Sequence, residues 1–160
     1  MAARRARDQV ALRLRAALDE QRAALGEPAW QGPADPDLLA ADCVRAVLTA
    51  LEAGVEPRRE ALRAAVRNLL DLLAAQAPGR AVEVRIPPYA AVQCVEGPRH
   101  TRGTPPNVVE TDPVTWLRLA AGLLPWADAV SAGLVKVSGV RADLSGYLPV
   151  MRPKEAGAGH

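Results

Sequence analysis

The chain has 160 residues, 49% of them apolar, with 20 basic and 18 acidic side chains for a net charge of +2. That length fits one domain, or one domain with a helical extension, and the apolar share is enough for a real core. So even a charge balance gives no argument for nucleic acid or a membrane surface, and no run approaches the ~18 apolar residues that would cross a bilayer.

The apolar residues are mostly Ala, Leu and Val; there is no Phe, and only 3 Trp and 2 Tyr. Aromatic platforms for stacking bases are therefore scarce. The two cysteines, Cys43 and Cys94, have no CxxC or metal-ligand spacing, so a reducing compartment fits better than a disulfide framework. Arg4, Arg5, Arg7, Arg13 and Arg15 make the start locally basic without an apolar stretch behind them. This reads as a solvated helix face, or more sharply as a contact for an anionic surface, and not as a signal peptide. The expected compartment is the cytoplasm.

In chain order, the first third is helical. Val10, Leu14, Ala17, Leu18 and Leu25 recur at helical spacing and Gly26 closes the run. "EPAWQGPADP" is a loop, with Trp30 placed to fold back on the core. Asp35 then Pro36 is an N-cap followed by proline at the first helical position. The helix that follows carries Leu39, Cys43 or Val44, Val47, Leu48 and Leu51 on one face and stops at Gly54. Pro57 opens a third helix with Leu62, Val66, Leu69, Leu70 and Leu73, ended by Pro78-Gly79.

The period then changes from helical to alternating. In "RAVEVRIP", Val82, Val84 and Ile86 alternate with Glu83 and Arg85, which predicts a half-buried strand. "YAAVQCVEG" predicts a second, with Ala90, Val92 and Cys94 on one side, and "NVVETD" a short third. Asp112-Pro113 caps a helix carrying Trp116, Leu117, Ala120, Leu123 and Leu124. "PWADAVSAG" is a short helix, "LVKVSG" a last strand with Val135 and Val137 facing inward, and "RADLSGYLPV" a helical or irregular cap. Short connections between neighbouring strands predict an α+β fold with an antiparallel sheet. The expected organisation is a helical region over 1–60, an α+β domain over 61–153 and a disordered tail over 154–160.

Catalytic motifs are absent: there is no GxGxxG, Walker loop, HExxH or GxSxG. His100 and His160 are the only histidines, too few for a zinc site. Cys94 and His100 could form a nucleophile pair across a turn, but Cys94 reads better as a small buried hydrophobe. Arg99 and Arg102 flank His100 and could hold a carboxylate or phosphate. "HTRGTPP" otherwise reads as a rigid, polar connection between strands, and Asp112 and Asp143 as helix caps.

Four stretches carry a family resemblance: "PGRAVEVRIPPYAAVQCVEGPRHTRGTPPNVVETDP", "TWLRLAAG", "WADAVSAGLVKVSG" and "RADLSGYLPV". From about Leu62 to Val150 the chain resembles the sterol carrier protein superfamily, and within it the actinobacterial type of bacterial sterol carrier protein. The resemblance implies a four- to five-stranded antiparallel sheet covered by helices, preceded by the N-terminal helical region. It also implies an apolar cavity that takes a sterol, fatty acid or fatty acyl-CoA without catalysis, cofactor or metal. The fifth strand of the wider fold would fall inside "GPRHTRGTPP", where proline and glycine discourage pairing.

Leu117, Leu124, Trp126, Val130, Leu144 and Leu148 would line such a cavity opposite Val82, Val84, Val92 and Val137, with Arg99, His100 and Arg102 at the head group. Spacing alone leaves open that the same residues simply pack together. Two readings follow: a non-catalytic carrier of an apolar ligand, or an interaction module with a filled core. In the second, the N-terminal helices would meet a protein partner or a second copy. The related mycothiol-dependent maleylpyruvate isomerases carry a comparable domain behind a metal-binding helical bundle. The absence of histidine from the helices here argues against that activity.

Overall fold

The computed structural model describes residues 1–98 and 107–151. The chain divides into two compact units, Met1–Asn68 and Leu69–His160.

The first unit is helical. Helix α1 (Ala2–Ala24) buries Ala11, Ala17, Leu18 and Gln21. Val10, expected on this face, is 45% exposed. The stripe instead runs through Ala11, Leu14, Leu18 and Leu25, three, four and seven residues apart, and Val10 lies about 100° round the helix from Ala11. Gly26 follows with φ +73°, the left-handed conformation that ends a helix at least cost with glycine.

The loop beyond is pinned by Trp30. Its backbone N–H donates to Asp19 Oδ1 at 2.7 Å and its indole N–H to the Pro33 carbonyl at 3.0 Å, while its ring packs against the Leu18, Leu39 and Cys43 cluster. Helix α2 (Pro36–Glu52) starts as its sequence dictates: Asp35 Oδ1 accepts from the N–H groups of Asp37 and Leu38. It buries both Cys43 and Val44 along with Leu39, Val47 and Ala50. Gln21, buried on α1, accepts the Arg58 N–H at 2.7 Å just before α3 (Arg59–Gln76).

In the second unit four strands, β1 (Val82–Ile86), β2 (Ala90–Cys94), β3 (Val108–Thr111) and β4 (Val135–Ser138), form one sheet in the order β2-β1-β3-β4. The sheet is mixed, which corrects the antiparallel expectation: β1 pairs antiparallel with β2 but parallel with β3, and β3 antiparallel with β4. The reason lies in the return path. A tight turn sets Cys94, at the end of β2, opposite Val82, at the start of β1. From there the chain passes the N-terminal end of β1 and lays β3 on its free edge, running the same way.

Helices α4 (Pro113–Ala120) and α5 (Trp126–Ser131) connect β3 to β4, and the sheet packs against helices. Asp112 caps α4, accepting the Thr115 N–H at 2.9 Å and its hydroxyl at 2.6 Å. Of the expected α4 face, Trp116, Leu117 and Ala120 are buried, with Leu119 added, whereas Leu123 lies past the helix end and is exposed.

Residues 139–151 are turns that bury Ala142, Leu144 and Val150. Asp143 caps one of these turns, at Ser145 N–H, and not a helix. The segment is fastened where Val150 and Met151 donate to the Ala120 carbonyl and Gln76 Nε2 donates to Val150. Asn107, 4% exposed, clamps the start of the sheet: its Nδ2 donates to the Ala81 carbonyl, its Oδ1 accepts the Arg141 N–H and its carbonyl accepts the Glu83 N–H.

Candidate functional site

The strand register sorts the sheet into two unlike faces. Opposed residues point the same way, so the pairs Val84↔Val92, Val84↔Val109 and Val109↔Val137 put these four valines on one face. Val82, Ile86, Cys94 and Val135 share that face. The opposite face carries Glu83, Arg85, Glu110 and Lys136, with Arg85 Nε donating to Glu83 Oε1 at 2.8 Å. The Arg85 guanidinium is held above its usual pKa, first by that hydrogen bond and its charge, and less by Glu110. The charged residues of the sheet thus stand apart from the valine face.

The ten cavity positions fall into two groups. Val82, Val84, Leu117 and Leu144 have no exposed surface at all. A side chain that a water-sized sphere cannot touch lines no open space, so these four form packed core. Val92, Leu124, Trp126 and Leu148 are half-buried, while Val130 and Val137 are 40% and 42% exposed. The open group includes residues of both edge strands, Val92 on β2 and Val137 on β4. At the entry to β4, Leu134 is 45% exposed and lies with Glu110 and Lys136, not with Val137. Val137 points to the core face as its alternation predicts, but at the sheet margin it is only partly covered. The head-group positions Arg99, His100 and Arg102, the place of a fifth strand, and the tail over 154–160 lie outside the described residues.

Each unit, taken by itself, carries a surface cleft. One of about 300 Å³ sits where β3 meets α4 and β4 begins, lined by Pro87, Glu110, Thr111, Asp112, Leu134 and Lys136. The Thr111 hydroxyl donates to the Leu134 carbonyl at 2.7 Å, tying β3 to the entry of β4. The other, about 280 Å³, lies on the first unit beside Leu12 and Ala34.

Nucleophilic chemistry finds little support here. Cys94 is buried and its thiol is pushed up to about 11; burial and the Asp42 charge push Cys43 up to about 12. A reactive thiol needs the opposite shift. Among the described residues no group of three or more His, Cys, Asp or Glu is placed to hold a metal ion, and no helix is long and apolar enough to cross a membrane.

A family model described as a bacterial SCP ortholog matches residues 58–150, more than half of the chain. The chain belongs to that family. The match begins at the start of α3 and ends at Val150, so it takes in the whole sheet, α4, α5 and the buried turns after β4. Membership of the bacterial SCP ortholog family points, in general terms, to lipid binding or carriage and away from catalysis. Helices α1 and α2 lie outside the match. No curated protein matches the chain.

Several residues that shape this unit escape pattern reading. Asn107 sits in "PPNVV" with nothing nearby to mark it as buried. Val95, with φ +66°, is a β-branched residue in the left-handed region, where its kind is rare. It is held there by its N–H to the Ala77 carbonyl at 2.7 Å and by its carbonyl, which accepts the Ala81 N–H at 2.9 Å. Gly79 lies against it so closely that a Cβ would overlap the Val95 carbonyl. The one signal available was that glycine, adjoining a proline.

Proposed function

We propose that the protein binds an apolar ligand of the sterol, fatty acid or fatty acyl-CoA class without transforming it, in the cytoplasm, against the valine face of the sheet. The single observation that carries this reading is the continuity of that face out to partly covered margins at Val92 and Val137, in a chain whose family is one of sterol carriers. A ligand would enter along the β4 and α5 margin, past Val130 and Trp126, and reach Val82 and Val84 only as Leu117 and Leu144 draw back. Arg99, His100 and Arg102 are the proposed head-group contacts. Each buried methylene contributes ~0.8 kcal/mol. A chain of about fifteen carbons thus supplies roughly 12 kcal/mol gross, enough for micromolar affinity, about 8 kcal/mol, after several kcal/mol of ordering cost.

A second reading is favoured by a specific observation. Zero exposure at Val82, Val84, Leu117 and Leu144 is what a filled core would show, and a filled core leaves a module that works by protein contact. Native mass spectrometry of freshly purified protein, with lipid extraction of the same sample, separates the two. The carrier reading expects an adduct of acyl-chain or sterol size, lost in Val137→Asp. A bare polypeptide mass that stays bare after incubation with fatty acids, sterols and acyl-CoA would leave the interaction module.

A further inference from the structure

We propose that the first half of α1 is a docking surface for an anionic lipid bilayer. The inference rests on a local conflict. Arg4 and Arg5 occupy the first turn of α1, a turn with no acidic residue and no side-chain cap. The helix dipole places partial positive charge there, which disfavours cations. An acidic residue at either position would relieve the conflict, and locally unfavourable choices of this kind collect at functional sites.

The arginines of this segment divide by partner. Arg7 pairs with Asp35 at 3.1 Å and with Asp37 at 3.7 Å, and Arg15 with Asp19 at 3.8 Å. They serve the fold of the first unit. Arg4, Arg5 and Arg13 are exposed and have no ion-pair partner among the described residues. Between them on the outward side stands Leu12, 68% exposed, beside the cleft of about 280 Å³. Asp8 stands on the same segment and lines that cleft, yet the segment keeps an excess of positive charge. Its guanidinium groups around an exposed leucine match the chemistry of an anionic headgroup layer over acyl chains. Nucleic acid fits less well, because α1 offers no aromatic side chain for stacking. The proposal stands on unit 1 alone and does not depend on where an apolar ligand binds.

Co-sedimentation of the full chain with phosphatidylcholine vesicles, with and without about one third phosphatidylglycerol, tests it. Binding is expected only to the anionic vesicles and should weaken steeply as salt rises and the Debye length falls below ~10 Å. At ~5-fold per arginine, the triple variant Arg4→Gln, Arg5→Gln, Arg13→Gln should lose on the order of 100-fold in affinity. Leu12→Asn should lose less and keep the salt dependence, and Arg63→Gln, on α3, should bind as the unchanged protein does. The triple variant should melt at or above the original temperature, because the dipole conflict is relieved. Equal binding to both vesicle types, no binding to either, or an unaffected triple variant would overturn the proposal. Tighter binding to single-stranded DNA than to anionic vesicles would overturn it in favour of nucleic acid.

Discussion

The two units solve the problem of charge in opposite ways. On the sheet of the second, the charged residues stand on one face and largely answer one another, Arg85 with Glu83 and Lys136 opposite Glu110. On α1 of the first, Arg4, Arg5 and Arg13 have no ion-pair partner among the described residues, and Arg4 and Arg5 oppose the helix dipole. Charge that satisfies itself supports a fold; charge that does not is available to something else. The difference places the proposed ligand on the apolar face of the second unit and the proposed membrane contact on the first. The family match, which begins at residue 58 and so excludes α1 and α2, draws a similar line.

The largest expected effects come from the packed cores. Trp116→Ala should cost about 3–5 kcal/mol and Leu18→Ala about 2–5 kcal/mol in denaturant unfolding, since both side chains are essentially without exposure. If the units unfold separately, each substitution should shift only its own transition; one shared transition moved by both would make the comparison a matter of chemistry and not of stability. Asn107→Ala should come next, at about 1–3 kcal/mol, because it strips the buried partners from the Ala81 carbonyl and the Arg141 N–H. Asp112→Ala should cost ~1 kcal/mol through the lost cap of α4.

Smaller still is a pH effect that sharpens the contrast between units. Asp35 is held below its ordinary 3.8, chiefly by the Leu38 N–H, and Asp143 by Ser145. A carboxylate whose folded pKa is depressed stabilises the fold above its unfolded value and loses that contribution as pH falls through the folded one. Acid titration below 3.8 should therefore erode stability, and Asp35→Ala should flatten part of that slope. Both groups are solvent-exposed, so screening keeps the effect small. Thiol labelling near pH 8 should be slow at both cysteines until the protein unfolds; rapid modification of Cys94 would reopen a catalytic reading.

Much of this architecture was legible in the chain. The alternation of Val82, Val84 and Ile86 specified a strand and its inward face, and Asp35-Pro36 and Asp112-Pro113 specified two helix starts, because these are local rules. The parallel pairing of β1 with β3 was not legible, since it depends on which edge the chain reaches after β2. On α1 only Val10 of the expected stripe was misplaced, because Ala11, a weak hydrophobe, outranks it through its angle to Leu18. Asn107 and Gln21 were missed because a polar residue is recognised as buried only once its partners are in place. For the proposed ligand site, alternation placed Val82, Val84, Val92 and Val137 but not which of them are open, because exposure at Val137 and closure at Val84 are decided by the sheet margin.

The most direct test of the central claim is methyl NMR with labelled valine and leucine during titration with a long-chain fatty acid. The account predicts saturable shifts at Val92, Val130 and Val137, followed by Val84 and Leu117, with Val108 on the other face of the sheet unmoved. Shifts confined to Val10 and Leu12, or none at any methyl, would contradict binding on the valine face.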